Sequence, residues 1–142
     1  MIWSFASPGD ARVLAELNRQ LIADEGHRNS MNIDELETRM RRWMSSDYRA
    51  VLFKEDTELL AYALFRDQEP GDVYLRQFFV VRHRRRQGIG RRALRILRDE
   101  VFKGKRVVLD VLTHNRTAHS FWIAVGFRDY ATVLEQLPEP ED

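Results

Sequence analysis

A pair of glycines beside a run of arginines gives this sequence a segment suited to binding phosphate. The apolar run Val73 to Val81 leads into the basic segment Arg82 to Arg92, which contains Gly88 and Gly90, and a helical pattern follows. Glycines in the first turn of a helix leave backbone N–H groups accessible, because no Cβ atom blocks the approach of a ligand. The helix N-terminus adds about half a positive charge, and mobile arginine side chains add full ones. The segment therefore suits a pyrophosphate, although a plain helix start with a solvated basic face fits the same residues.

Two other ligands compete for this segment. Residues Gly88 to Ala93 fit the dinucleotide pattern G-x-G-x-x-G/A, and Asp110 follows about 20 residues later at the end of a predicted strand. A basic spacer, Arg82 to Gln87, separates the preceding strand from the first glycine, which disfavours dinucleotide binding. The arginines from Arg82 to Arg98 would suit nucleic acid, but the formal net charge is only +1 and no known nucleic-acid motif accompanies them. A non-catalytic basic module that binds nucleic acid is the runner-up hypothesis, and a dinucleotide-binding protein ranks below it.

Hydrophobic periodicity predicts the elements that position this segment. Ser7 and Pro8 indicate the start of a first helix, and Asn32 with Glu35 resembles a capping box that starts a second one. The predicted elements are, in order, strand 1–6, helix 8–25, helix 32–43, strands 50–53, 59–65 and 73–81, helix 88–102, strand 107–112, helix 116–125 and strand 127–134. This order, β-α-α-β-β-β-α-β-α-β, combines an antiparallel meander with a βαβ crossover. We therefore expect an α/β fold, α+β in some schemes, in which helices cover both faces of a three-layer mixed sheet.

Length and composition exclude several classes of protein. The chain has 142 residues, which suits one domain over residues 1–137 followed by an acidic tail over 138–142. It has no cysteine, which excludes disulfides, thiolate metal sites and a cysteine nucleophile, and its histidines lack metal-site spacing. No apolar run approaches the ~20 residues of a membrane span, and the N-terminus lacks the pattern of a signal peptide. We therefore expect a cytoplasmic protein that does not bind membranes.

A second motif lies downstream of the glycine pair. It consists of Asn115, Ala118, the aromatic pair Phe121-Trp122 and Gly126-Phe127. Together with the segment Arg85 to Gly90, which matches Q/R-x-x-G-x-G/A, these residues form a pattern that resembles the GNAT superfamily of N-acetyltransferases. The predicted order of elements is also that of this family. The resemblance therefore covers nearly the whole chain and implies an acyl-CoA N-acyltransferase-like fold.

The resemblance implies an acetyl-CoA-dependent N-acetyltransferase, an acyltransferase that moves an acetyl group to a primary amine by direct attack in a ternary complex. In such proteins the strand before the loop splays from its neighbour, and backbone groups near Val80 and Val81 pair with the pantetheine arm of the co-substrate. The residues that the resemblance assigns to acetyl-CoA are Val80, Val81, Arg85, Arg86, Gln87, Gly88, Ile89, Gly90, Arg91 and Asn115. It implies no metal. The amine acceptor, whether a small molecule or a protein, stays open, and so does the oligomeric state, a homodimer included.

The motifs do not assign the groups that transfer protons. Trp122 stands where many members of the family carry a tyrosine that serves as general acid, and a tryptophan does not donate a proton usefully. Three alternatives follow: Tyr130 or another hydroxyl replaces the acid, the thiolate leaves unaided, or the chain binds acetyl-CoA without catalysis. We favour an active enzyme. The candidate catalytic residues are Tyr130, Gln77, Glu25 and His27, the last two of which lie with Asp24 where the first helix ends.

Overall fold

Five strands and four α-helices form within residues 1–140, which are the residues that the computed structural model describes. In chain order they are β1 (Ile2–Phe5), α1 (Ala11–Glu25), α2 (Ile33–Met44), β2 (Tyr48–Glu55), β3 (Glu58–Gln68), β4 (Asp72–Val80), α3 (Ile89–Ile96), β5 (Val107–Val108) and α4 (Arg116–Ala124). Short 3-10 turns occur at Pro8–Asp10 and Arg82–Arg84, and a π-helical turn at Leu97–Val101 prolongs α3. The predicted acidic tail falls partly outside the described residues, and the domain boundary at residue 137 stays a prediction.

The strands form one mixed sheet in the order β1-β2-β3-β4-β5. Neighbours from β1 to β4 are antiparallel, and β5 lies parallel to β4. Short connections suffice from β2 to β4 because antiparallel neighbours join through tight turns, whereas a parallel partner requires a crossover, which α3 provides. The antiparallel meander and the βαβ crossover predicted from the sequence are confirmed.

Helices cover both faces of this sheet. The buried side chains between α1, α2 and one face are Leu14, Leu17, Leu21, Met40, Tyr48, Ala50, Leu52, Tyr62, Leu64, Phe79 and Val81. Those between α3 and the opposite face include Val51, Phe53, Ala61, Ala63, Phe65, Val73, Leu75, Ile89, Ala93 and Leu97. Residues from one strand appear in both sets because successive side chains point to opposite faces. The three-layer arrangement is therefore confirmed, and we call its two sides the α1/α2 face and the α3 face.

The ends of the first two helices follow from local signals. At α2, the Glu35 N–H donates to Asn32 Oδ1 (2.9 Å) and the Asn32 N–H donates to Glu35 Oε1 (3.0 Å), so the predicted capping box is present. α1 ends at Gly26, which has a left-handed φ of 64°, and the His27 N–H donates back to the carbonyl of Ile22 (3.1 Å). This cap fixes the C-terminal end of α1, which borders the candidate site.

Two predictions for the C-terminal third differ from the structure. β5 contains residues 107–108 rather than 107–112, and residues 127–134 form no strand. Two residues of β5 provide too short an edge for a further strand to pair with. The large apolar side chains of this segment consequently stay exposed: Tyr130 (82%), Val133 (81%) and Leu134 (89%). Within the described residues, the observed order of elements therefore ends at the last helix.

Candidate active site

A β-bulge interrupts β4 near its centre. Leu64 of β3 faces Gln77, and the next residue, Phe65, faces Leu75, so Arg76 is an extra residue without a partner in β3. One extra residue in an alternating strand lets two successive side chains lie on the same face. Arg76 and Gln77 both lie on the α1/α2 face as a result.

Beyond the bulge, no described strand lies beside the outer edge of β4. β5 pairs only with residues 73–74, so β4 and β5 diverge from there onward. The family resemblance implies a splay between these two strands. The Val81 N–H donates to the carbonyl of Leu60 on the β3 side (2.9 Å), and by alternation the backbone groups of Phe78 and Val80 point to the open edge.

The residues at the end of β4 differ in what they offer a ligand. Both backbone groups of Val81 are used, since its N–H is bonded to β3 and its carbonyl accepts from the Arg84 N–H (3.0 Å). The carbonyl of Val80 accepts from Arg85 Nε (3.0 Å) at the open edge. The backbone groups of Phe78 also point to the open edge. The sequence motif does not include Phe78, because only the register of the bulged strand identifies this residue. A ligand at this edge would contact Phe78 and Val80 rather than Val81.

The loop after β4 presents a row of free backbone N–H groups. Within residues 1–140, the six N–H groups from Arg86 to Arg91 donate to no protein acceptor, and the next one, Arg92, donates to the carbonyl of Gly88 (3.1 Å). Left-handed backbone at Arg86 (φ 64°) and Gly88 (φ 76°) is the kind that turns successive N–H groups into a concave nest. A Cβ atom at Gly88 would meet no heavy atom within 4 Å, so the approach is open. A nest at a helix N-terminus is an arrangement that binds anions.

Two residues of the glycine motif have packing roles. Ile89 is 2% exposed and belongs to the core of the α3 face. At Gly90, a Cβ atom would lie 3.2 Å from Phe121 Cζ and 3.7 Å from Val80 Cγ2, so a larger residue would push α3 away from α4 and β4. What these two residues offer a ligand is therefore their backbone N–H.

Carboxylates hold three arginines of the loop. Arg82 and Arg85 both bond Asp24 at the end of α1 (2.8 Å each), and Arg84 pairs with Glu58 (2.7 Å). Burial alone would raise the pKa of Asp24, but the hydrogen bonds and charges of Arg85 and Arg82 outweigh it and keep that pKa below its usual value. Arg85 therefore ties the loop to α1, and it is not the mobile charge expected from the sequence.

Three other arginines beside the nest are exposed. Arg86, Arg91 and Arg92 form no salt bridge with any residue among 1–140. They flank the free N–H groups, so an anion in the nest would meet both kinds of donor. Gln87 shapes the loop instead, because its Oε1 accepts from Arg84 Nε (3.0 Å).

The C-terminal end of α1 borders the open edge of β4. The pKa of Glu25 is raised, first by burial and second by the charge of Asp24. Its backbone carbonyl accepts from His114 Nε2 (2.9 Å), which joins α1 to the loop before α4. Because a carbonyl oxygen only accepts, Nε2 carries the proton of this histidine. The side chain of His27 is exposed, whereas that of Glu25 is partly buried. Of these two candidate bases, Glu25 is therefore the one in a partly buried environment.

A buried phenol, Tyr62, contacts the bulge. The Tyr62 hydroxyl donates to Gln77 Oε1 (2.9 Å), and Gln77 is only 9% exposed. Burial, and after it the charge of Glu25, raise the pKa of Tyr62, whereas Arg39 acts in the opposite direction. Glu25 and Arg39 therefore lie close enough to act on the same hydroxyl. An amide does not titrate, so Gln77 has no proton to transfer in a reaction.

A comparison with known families assigns the chain. The model of the Acetyltransferase (GNAT) family matches residues 14–127. The chain belongs to the GNAT acetyltransferase family. The matched region extends from α1 to Phe127 and includes both sequence motifs, so the predicted resemblance is confirmed. Acetyl transfer is the class of reaction that this membership identifies.

Solved structures share the fold of this GNAT protein. A tetramutant of the BH1408 protein from Bacillus halodurans is 22% identical, with 98% of this chain and 100% of that chain covered and a TM-score of 0.76. The apo form of an aminoglycoside 6'-N-acetyltransferase from Acinetobacter haemolyticus is 16% identical, with 99% and 100% covered and a TM-score of 0.75. An aminoglycoside N-acetyltransferase in complex with CoA is 16% identical, with 96% and 93% covered and a TM-score of 0.74. A search of curated protein sequences finds no match. The structural similarity confirms the predicted fold.

Two other residues predicted for the site, Asn115 and Tyr130, lie far apart in this GNAT protein. Asn115 caps α4, where its Oδ1 accepts from the Ala118 N–H (3.1 Å), and it follows the histidine that contacts the end of α1. Tyr130 lies under the guanidinium of Arg106 (4.7 Å to the ring centroid), which pairs with Asp72 at the start of β4. That is the opposite end of β4 from the loop. The structure therefore does not bring Tyr130 to the site, because residues 127–134 do not form the expected strand.

Trp122, at the position of the usual acid in the GNAT family, has a packing role. Its ring centroid lies 5.7 Å from that of Phe78, 5.1 Å from that of Phe121 and 5.1 Å from that of Phe127. These edge-to-face contacts hold α4 against β4 on the α3 face. The residue supports the site without supplying a proton.

Among residues 1–140, no three His, Asp or Glu side chains cluster closely enough to hold a metal ion. None of the helices described above has both the length and the apolar character needed to cross a membrane.

Proposed function

We propose that this protein is an acetyl-CoA-dependent N-acetyltransferase that acetylates a primary amine by direct attack in a ternary complex. The observation that carries the proposal is the row of free N–H groups from Arg86 to Arg91 at the end of the open edge of β4. A pyrophosphate followed by an extended arm with amide groups requires these two features side by side.

The residues at this edge fit acetyl-CoA. The pyrophosphate would accept hydrogen bonds from the N–H groups of residues 86–91, and the arginine side chains beside them would add charge. The amides of the pantetheine arm would pair with the backbone of Phe78 and Val80, as an added strand does. Arg85 Nε occupies the carbonyl of Val80 in this structure. We therefore expect Arg85 to release that carbonyl when acetyl-CoA binds.

Two similar solved structures support the proposal. Both are structures of the aminoglycoside N-acetyltransferase AAC(6')-Iy, one in complex with CoA and the other in complex with a bisubstrate analogue, CoA-S-monomethyl-acetylneamine. A bisubstrate analogue presents both reactants in one molecule, as a ternary complex would. The shared fold extends this support to the present chain.

The chemistry requires an amine that is neutral when it attacks. Acetyl-CoA would supply an acetyl thioester, in which the C–S bond breaks as the new C–N bond forms. An alkyl ammonium has a pKa of ~10.4, so a base must take its proton. We assign this role to Glu25, because its raised pKa makes its carboxylate the stronger base.

No general acid is required for the leaving group. A thiol has a pKa of ~8.5, so a thiolate leaves without a proton donor far more readily than an alkoxide would. This agrees with the packing role of Trp122, and it favours the unaided thiolate among the alternatives left open by the sequence. Gln77, fixed by Tyr62, would orient the reacting groups at the bulge.

A matched pair of glycines tests the cofactor site. Gly88 and Gly104 both have a left-handed φ (76° and 75°), and a Cβ atom at either would meet no heavy atom within 4 Å. Valine therefore imposes similar strain at both, roughly 1–2 kcal/mol, but only Gly88 lies in the N–H row. In thermal unfolding, acetyl-CoA at 100 times its Kd should stabilise the wild type and Gly104→Val by about 2.7 kcal/mol. It should not stabilise Gly88→Val.

Release of free thiol from acetyl-CoA with a panel of amines tests the reaction itself. We expect turnover by the wild type and by Gly104→Val, and none by Gly88→Val. A wild type that millimolar acetyl-CoA fails to stabilise would refute the proposed site. Stabilisation without thiol release for any amine would instead support the alternative of a protein that binds acetyl-CoA without catalysis.

A further inference from the structure

Two arginines contact one aromatic ring on the α1/α2 face, beside the bulge. The Cζ atom of Arg39, from α2, lies 4.3 Å from the ring centroid of Trp43. The Cζ atom of Arg76, the extra residue of the bulge, lies 4.7 Å from the same centroid. Arg76 also contacts the ring of Tyr48, whose hydroxyl accepts from Arg76 Nη1 (3.3 Å). Both guanidinium groups therefore lie against the same ring and close to each other.

Neither guanidinium has a carboxylate partner among residues 1–140. The hydrogen bond of Arg39 goes to the neutral amide of Asn18 (3.1 Å), and its buried Nε has no partner. Arg76 bonds only the neutral phenol of Tyr48. The loop arginines behave differently, since Arg85 is bonded to an acid. Arg76 is exposed, whereas burial, together with the charge of Arg76, lowers the pKa of Arg39, so an anion beside the pair would favour the charged form of Arg39.

This arginine pair lies next to the proposed reacting groups. Arg76 directly precedes Gln77, which is bonded to Tyr62, and both Glu25 and Arg39 act on the Tyr62 hydroxyl. Glu35 precedes Arg39 by one turn of α2, but its Oε1 accepts from the Asn32 N–H (3.0 Å), and Asp110 is bonded to the Tyr74 hydroxyl (2.9 Å). Glu25 and Arg39 of the arginine pair therefore lie within electrostatic range of one buried hydroxyl on the α1/α2 face. A molecule with an amine and an anionic group would match both Glu25 and the pair.

Building on the function proposed above, we propose that the amine acceptor carries an oxyanion, a carboxylate or a phosphate, and that Arg39 and Arg76 bind it. The amine would then face Glu25. Guanidinium groups bind planar oxyanions with two parallel hydrogen bonds, and only the Nη2 group of Arg39 is engaged, by Asn18 (3.1 Å). The same pair repels polycations, so aminoglycosides and polyamines should be poor acceptors for this chain.

Matched acceptors test this inference in the thiol-release assay with saturating acetyl-CoA. The panel contains the common amino acids beside their amides, O-phosphoethanolamine beside ethanolamine, and spermidine and kanamycin as polycations. We expect the best acceptor to be anionic, with a kcat/KM at least about tenfold above that of its neutral counterpart, as the loss of a charge-assisted hydrogen bond predicts. The carboxylate and phosphate arms distinguish the two kinds of oxyanion.

Variants assign the effect to the arginine pair. Arg76→Gln and Arg39→Gln should each raise KM for the anionic acceptor about tenfold or more and change KM for the amide little, whereas Arg76→Lys should restore part of the loss. Arg95→Gln is the matched control, because Arg95 is exposed on α3 on the other side of the sheet. Stabilisation by acetyl-CoA confirms that each variant is folded.

The outcomes separate this inference from the proposed function. If acetyl-CoA binds but neutral or cationic amines are acetylated as well as anionic ones, the inference is wrong and the proposed function stands. The inference is also wrong if no anionic amine is acetylated, or if both glutamine variants treat acid and amide as the wild type does. If acetyl-CoA does not bind the wild type, the proposed function itself fails.

Discussion

Two neighbouring carboxylates at the end of α1 have opposite environments. Burial works against the ionisation of Asp24, but Arg85 and Arg82 hold its pKa low. The pKa of Glu25 is raised chiefly by burial and then by Asp24. A carboxylate with a lowered pKa stabilises the folded chain when ionised, and one with a raised pKa costs stability when ionised. Adjacent positions thus hold a structural clamp and a candidate base.

Asp24→Asn and Glu25→Gln should therefore change the free energy of unfolding in opposite directions at pH 7. The contribution of Asp24 is present above its unfolded pKa and is lost as pH falls through the lower folded pKa. Its removal should lower Tm at pH 7 by roughly 1–4 °C, as expected for ion pairs that contribute about 0.2–1 kcal/mol. The cost of ionised Glu25 is absent below its unfolded pKa and appears as pH rises through the raised folded pKa, so Glu25→Gln should raise Tm at pH 7. Thermal unfolding between pH 3 and pH 8 measures both effects.

Each of the two variants serves as the control for the other. At pH 3 both differences should shrink, because protonated carboxyl groups resemble the amides that replace them. Glu25→Gln should also lower kcat by about 10²–10⁴-fold, the usual contribution of a general base. A lower Tm for Glu25→Gln at pH 7, or unchanged turnover, would contradict the assignment of Glu25.

The bulge in β4 is the element that places Arg76 and Gln77 together. Leu75 and Phe78 contact the core of the α3 face, and Gln77 contacts Tyr62 on the α1/α2 face. Without Arg76, residues 75, 77 and 78 would alternate between faces as a regular strand requires. The extra residue is therefore dispensable for the core of the sheet.

Deletion of Arg76 should consequently preserve the fold and abolish acetyl transfer. We expect cooperative thermal unfolding with a Tm within a few degrees of the wild type, and a kcat/KM at least about 10²-fold lower, since a misplacement of 1 Å costs that much. Deletion of Phe78 is the matched control, because a regular strand would then place Gln77 instead of Phe78 against the core of the α3 face, which should lower Tm by more than the deletion of Arg76 does. If a variant without Arg76 keeps the kcat/KM of the wild type, acetyl transfer does not require the bulge.

Whether the sequence predicted an element depends on how local its signals are. The capping box at Asn32, the end of the first helix after residue 25 and the glycine turn at Gly88 involve residues a few positions apart, and the sequence predicts all three. The bulge depends on the register between β3 and β4, and the types of the residues around Arg76 do not reveal it. The strand expected over 127–134 had a suitable local pattern, but it needed an edge that the two residues of β5 do not provide.

Over the whole molecule, charge is nearly balanced but unevenly placed. The formal net charge is +1. Of the arginines from 82 to 98, half are paired with acids: Arg82, Arg84, Arg85 and Arg98. The others form no salt bridge with a described residue: Arg86, Arg91, Arg92 and Arg95. The alternative of nucleic-acid binding therefore depends on about four charges beside the N–H row rather than on the full run.

Nucleic acid should bind this protein weakly and be released by moderate salt. The logarithm of the binding constant falls with log salt by about 0.9 per neutralised phosphate, so four contacts lose roughly 10²-fold in affinity between 50 and 200 mM. Fluorescence anisotropy with a labelled duplex measures this loss, and acetyl-CoA at a fixed multiple of its Kd should stabilise the protein equally at both salt concentrations. Replacing Arg91 and Arg92 together by glutamine should weaken duplex binding further, whereas Gly88→Val should abolish the response to acetyl-CoA and leave duplex binding unchanged. A different result would contradict this expectation: a duplex affinity that persists at 200 mM salt and is lost in Gly88→Val. The N–H row would then bind a nucleic-acid phosphate, and nucleic-acid binding would replace acetyl transfer as the favoured function.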